Sequence, residues 1–120
     1  MDNKTFGKTL EERTLKFAVA VIHLSASLPE SPEGKVIRNQ LSKSGTSIGA
    51  NYREANRSQS KADFIHKIHI SESEASETLY WLEIIKTMNW CSASVLQPLI
   101  DECSELLALL TSIRSKLKNK

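Results

Sequence analysis

Apolar residues recur at helical spacing along four stretches of this chain. In the first, over residues 10–28, Leu10, Phe17, Val21, Leu24 and Leu28 fall on one line, and Leu15, Val19, Ile22 and Ala26 on a second. Thr9 can cap this helix, with Glu12 three residues on as a capping-box partner. Pro29 and Pro32 end it, because a proline disfavours helical backbone in the residue before it. A second helix follows over 33–57, begun by Ser31 or Pro32. The polar break Ser58–Ser60 leads to a third over 61–88, capped by Ser60 with Asp63 at its third position. At 1.5 Å per residue this helix is roughly 42 Å long. Phe64, Ile68, Ala75, Leu79, Leu82 and Ile85 form its apolar line. The fourth, over 94–117, has the cleanest stripe, through Leu96, Leu99, Cys103, Leu106, Leu110, Ile113 and Leu117. Ser92 or Ser94 caps it, and its first turn tolerates Pro98. Long helices with short connections return antiparallel, so the pattern predicts an all-α, up-down-up-down four-helix bundle forming one domain over 1–120.

Two helices carry more than a bundle needs. An outer bundle helix requires about a third of its circumference to be apolar. The first is apolar over well over half, and another copy of the chain is the simplest cover for the excess. The second is unusually polar. Gln40, Ser44, Ser47, Asn51 and Glu54 recur at steps of three or four, beside a narrow apolar line of Leu41, Gly45, Ile48, Tyr52 and Ala55. This polar stripe is either a solvated face or one side of a structural polar network completed by Glu74 and Glu77 on the third helix. The second option requires full pairing, since a buried unsatisfied polar group costs about 1–3 kcal/mol. Gly45 and Gly49 each weaken the helix by roughly 1 kcal/mol relative to Ala. Close approach of another helix is the usual reason to keep them.

Charge alters the picture more by its placement than by its sum. The net charge is +2. Between Gly34 and Ile70 stand Lys35, Arg38, Lys43, Arg53, Arg57, Lys61 and Lys67 against Glu54 and Asp63, whereas residues 71–110 hold seven acids and one base, Lys86. Either these charges decorate solvated faces or they form a basic patch for a polyanion opposite an acidic face. Lys35, Arg38, Lys43, Arg53, Arg57 and Lys61 are the candidate nucleic-acid-binding residues. Tyr52 and Phe64 are the few aromatics near them, so stacking on bases is not expected.

The residue types for chemistry are sparse. Di-metal bundles need two Glu-x-x-His pairs facing inward, and here there is a single Asp63-x-x-His66 followed by His69. No Gly-rich phosphate loop or nucleophile motif is present. Cys103 reads as a small core residue and Cys91 as an inert thiol in a turn. No catalytic residue, metal site or cofactor is expected, and the chain is not expected to be an enzyme. The longest apolar runs are too short to cross a membrane, and the N-terminus lacks the layout of a secretory signal. A cytoplasmic protein is expected.

The segment SKSGTSIGANYREANRSQSKADFIHKIHISESEASETLYWL resembles the bacterial four-helix-bundle family named for proteins encoded in intervening sequences of 23S rRNA genes. The matching positions are Gln40, Leu41, Ser44, Ser47, Ile48, Ala50, Asn51, Glu54, Phe64, Ile65, Ile70, Ser73, Glu74 and Glu77. Ala55-Asn56 stands where the family has Gly, Tyr52-Arg53 where it has a small apolar pair, and Ser71 where it has Ala. The resemblance implies up-down bundles assembled into closed rings, with a homopentamer as the expected state. A related branch, the accessory protein of diversity-generating retroelements, is strongly basic and works with a reverse transcriptase. A chain of this modest charge does not share that trait. Three readings follow. One is a homo-oligomeric scaffold with itself as partner that contacts RNA or DNA through the basic residues. The second is an oligomeric interaction module whose partner is a protein. An enzyme or metal bundle is the third.

Overall fold

The computed structural model describes residues 3–118, which form four helices: α1 (Asn3–Ser27), α2 (Pro32–Ala55), α3 (Lys61–Thr87) and α4 (Ala93–Lys118). They pack as an antiparallel four-helix bundle of 46 × 26 × 21 Å, in which each helix lies beside its chain neighbours and α1 also meets α4. The second and third helices begin where capping chemistry places them. Ser31 Oγ accepts the Gly34 amide at 3.1 Å, with Pro32 in the first turn, and Ser60 Oγ accepts the Asp63 amide at 3.1 Å. These bonds satisfy donors that the helix itself cannot.

The first helix starts earlier than the sequence suggests. It is already formed at Asn3, so Thr9 and Glu12 lie inside it rather than at its cap. Residues 3–9 contain neither Pro nor a run of β-branched side chains, and the helix simply continues outward past the apolar line. α3 ends in a left-handed cap. Asn89 has φ 60°, its amide donates to Lys86 O at 3.1 Å, and the Trp90 amide reaches back to Ile85 O at 3.1 Å. Asparagine is the side chain besides glycine that most readily takes this conformation. Pro98 lies in the second turn of α4, where it cannot donate to the carbonyl of Ser94.

The core is made by one apolar line from each helix. Leu10, Phe17, Val21, Leu24 and Leu28 are all buried, and they meet Leu41, Ile48, Tyr52, Ile68, Leu82, Leu106 and Leu110 among others. Cys103 is buried and donates its thiol to Ala75 O at 3.3 Å. Burial pushes that thiol up to about 12, so it stays protonated at neutral pH. The α3 line is interrupted by hydroxyls that the sequence pattern does not mark as core. Ser71 and Thr78 are fully buried between Ile68, Ala75 and Leu82.

The α1–α2 crossing depends on two missing side chains. A Cβ on Gly45 would stand 2.7 Å from Val21 Cγ1, and one on Gly49 would stand 2.8 Å from Thr14 Oγ1 and 3.4 Å from the Thr14 carbonyl carbon. The helix-propensity cost of both glycines is therefore offset by close packing, as the sequence suggests. Gly45→Ala should lower the free energy of unfolding in a urea titration. The overpacking cost of about 1–3 kcal/mol exceeds the gain of roughly 1 kcal/mol in propensity. Combining it with Val21→Ala should cost less than the two single changes summed.

Candidate functional site

Burial divides α1 cleanly. Its first apolar line is inside, whereas Leu15, Val19 and Ile22 on the second remain 53%, 47% and 50% exposed. Rotation about α1 is fixed by Thr14 and Val21 seating on the α2 glycines, and this leaves Leu15, Val19 and Ile22 on the outer edge of the α1–α2 pair. With Ala18, Thr46 and Ala50 they line a groove of about 620 Å³. Arg53 and Arg57 stand at one end of it. The Arg53 guanidinium pairs with Glu11 at 3.3 Å, and Arg57 donates to the Arg53 carbonyl at 3.1 Å, with no carboxylate partner among the described residues.

The basic residues share one face. Lys35 and Arg53 are separated by roughly five full turns, so they lie on one line of α2, with Arg57 and Lys43 within a quarter turn of it. Arg38 lies on the α1 side, where Glu30 approaches at 3.8 Å. Lys61 opens α3 and is exposed. The outward side of α2 and the turn after it thus carry four bases, Lys35, Lys43, Arg53 and Arg57, over roughly 33 Å, and the uncharged Thr46 and Ala50 interrupt them at the level of the apolar stripe.

The polar stripe lies on the α3 side of α2, but its bonds differ from the expected network. Ser47 donates to Lys43 O at 2.6 Å and Asn51 to Ser47 O at 2.9 Å, both within their own helix. Neither reaches Glu74 or Glu77. Gln40 is half-buried with no hydrogen bond to α3, and Glu54 pairs with Lys67 at 3.2 Å. Within the core, polar contact between the two helices is made instead by hydroxyls. Thr78 donates to Ser44 Oγ at 2.8 Å, and Ser71 donates to Ile48 O at 2.7 Å. Ser44 is therefore the one member of the stripe that is buried and bonded across the interface. Short hydroxyls win here because an interhelical gap too tight for Asn or Glu still admits them. Glu74 is partly buried, and its carboxyl is raised by desolvation and by the neighbouring Glu77, with Lys43 opposing.

Two carboxylate clusters elsewhere tie helices together. Arg13 on α1 grips Glu102 through two bonds of 2.6 and 3.1 Å and reaches Glu105 at 3.1 Å. Glu72 on α3 accepts from Arg114 at 2.5 and 3.2 Å and from Thr111 at 2.6 Å. His69 lies 3.6 Å from the same carboxylate, and among the described residues no group of three His, Cys, Asp or Glu side chains is placed to hold a metal ion. No described helix is long and apolar enough to cross a membrane.

The model of the 23S rRNA-intervening sequence protein family matches residues 9–112. The chain belongs to that family. A solved structure from Bacteroides thetaiotaomicron, described as a protein of unknown function from the S23 ribosomal protein family, is 38% identical. The match covers 88% of this chain and 97% of that one, with a TM-score of 0.81. Among curated proteins, none is significantly similar. In this member of the 23S rRNA-intervening sequence proteins, the exposed α1 line lies beside the basic face of α2.

Arg114, by its hydrogen bonds, holds the Glu72 carboxyl below its ordinary value of 4.5, with Thr111 and His69 acting in the same direction against desolvation. The folded state then binds fewer protons than the unfolded chain at acid pH. This contribution to stability is fully present above about pH 4.5 and is lost as pH falls through the depressed value. Glu72→Gln should flatten that part of the acid limb in urea titrations run at successive pH values.

Proposed function

We propose that this chain is a non-enzymatic, self-assembling helical bundle that forms closed homo-oligomeric rings, pentameric as its family resemblance implies. The observation that carries this reading is the line of Leu15, Val19 and Ile22, each about half exposed and gathered along one groove. Large contiguous apolar surface on a folded domain marks a contact with another macromolecule. A second copy is the partner always available at matching concentration. Each of these side chains would gain about 25 cal/mol for every Å² covered. A second reading concerns what the assembly does. The shared face of Lys35, Arg38, Lys43, Arg53 and Arg57 favours a polyanion, RNA or DNA, held by phosphate contacts without base selection.

Light scattering on the purified chain should report an oligomer at micromolar concentration. Ile22→Lys should convert it to a monomer with unchanged helical circular dichroism, since the side chain lies outside the core. A monomeric wild-type chain would remove the reading. For the second reading, fluorescence anisotropy with a labelled single-stranded RNA should show binding at about 50 mM salt that weakens steeply by about 200 mM. Lys43→Glu should lower both the affinity and the salt slope. Absence of binding at the lower salt would leave the assembly without a nucleic-acid role.

A further inference from the structure

The α1–α2 groove is unsuited to pairing with itself. Bases flank its apolar centre at both ends of the same helix: Lys35 and Arg38 near the start of α2, Arg53 and Arg57 near its end. A twofold axis across the groove would set Lys35 against Arg57 and Arg38 against Arg53 of the other copy. A twofold along the groove would set each base against itself. Glu30 and Glu11 partly neutralise Arg38 and Arg53, but Lys35 and Arg57 have no carboxylate partner among the described residues. Like charges brought together at a contact are a device against the wrong partner.

The surface that suits the groove is apolar at its centre and acidic around it. The acidic half of the chain offers one such surface. Glu102 and Glu105 are held by Arg13, Glu72 by Arg114, and Asp101 accepts from Gln97 at 2.9 Å. Among the described residues, none gives a hydrogen bond or an ion pair to the carboxylates of Glu74, Glu77 and Glu83 on α3. Glu77 and Glu83 lie three residues to either side of Tyr80, on the same outward arc of the helix. Tyr80 is 57% exposed, with its ring tilted 58° against that of Trp81 at 5.2 Å between centroids.

We propose that the α1–α2 groove of one copy receives the outward face of α3 of the next, with Tyr80 against Leu15, Val19 and Ile22, and with Glu77 and Glu83 turned toward the flanking bases. This rests on the self-assembly reading and adds which two surfaces meet. The contact is head-to-tail, so every copy keeps one free groove and one free α3 face until the assembly closes.

Two variants test it together. Val19→Lys spoils the groove and leaves the α3 face intact. Glu77→Lys with Tyr80→Ala spoils the α3 face and leaves the groove intact. All three positions are exposed, so both variants should keep wild-type helical circular dichroism. Each alone should be monomeric by light scattering. Mixed in equal amounts they should form a one-to-one heterodimer and stop there, because one intact groove meets one intact α3 face. A wild-type oligomer whose two variants stay monomeric when mixed would overturn the proposal while leaving self-assembly standing. So would an α3 variant that assembles like the wild type. A monomeric wild-type chain would overturn both.

Discussion

The approach of α1 to α2 at Gly45 and Gly49 sets the rest of the molecule. Without Cβ atoms at these two positions, Val21 and Thr14 can seat directly on the α2 backbone surface. That seating fixes the rotation of α1 about its own axis. One apolar line, from Leu10 to Leu28, turns inward and closes the core. The other, Leu15, Val19 and Ile22, is left facing out next to α2. A wider crossing would let α1 roll and share its broad apolar circumference between inside and outside. The exposed stripe is thus a consequence of tight packing and not of loose packing.

Much of this was legible in the sequence because helical periodicity reports burial directly. The four helices, the Ser31 and Ser60 caps, the excess apolar line of α1 and a close approach at the glycines all follow from spacing. Helix ends were less legible where no cap or proline marks them, as at the start of α1. The polar stripe shows the limit of pattern reading. Its period places Gln40, Ser47 and Asn51 toward α3, and so they are. Period says nothing of reach. Ser and Asn side chains in a helix can bond the carbonyl four residues back, and that local bond satisfied Ser47 and Asn51 before any carboxylate on α3 could. The buried hydroxyls of Ser71 and Thr78 were hidden for the opposite reason. They sit in an apolar line whose polar members look like exceptions, yet they carry the α2–α3 bonds.

The distribution of ion pairs follows the same division of labour. The hydroxyls of Ser44, Ser71 and Thr78 fasten α2 to α3 inside the core. Arginine–carboxylate pairs fasten α4 from outside, to α1 through Arg13 and to α3 through Arg114. The α1–α4 side is the thinnest contact of the bundle, and a two-pronged Arg–Glu bond suits a place where apolar area is short. These pairs use up much of the acid on α4. What stays unpaired in the acidic half is concentrated on the outward side of α3, around Tyr80.

That residue of unpaired charge constrains any role for nucleic acid. Arg53 and Arg57 stand at the mouth of the apolar groove, so a macromolecule seated there covers them and removes them from a phosphate-binding surface. Lys43 lies farther round α2 and Lys61 lies beyond its end, whereas Lys35 shares the Arg53 line roughly five turns away. An anion surface that survives assembly would therefore be built from lysines more than arginines. It would bind as a set of point charges without the forked geometry that fixes an arginine to one phosphate. Recognition of that kind is weak per copy and gains strength by repetition around a closed assembly. On such a surface, affinity for a polyanion would rise with the number of copies assembled, because each copy would add its own few lysines.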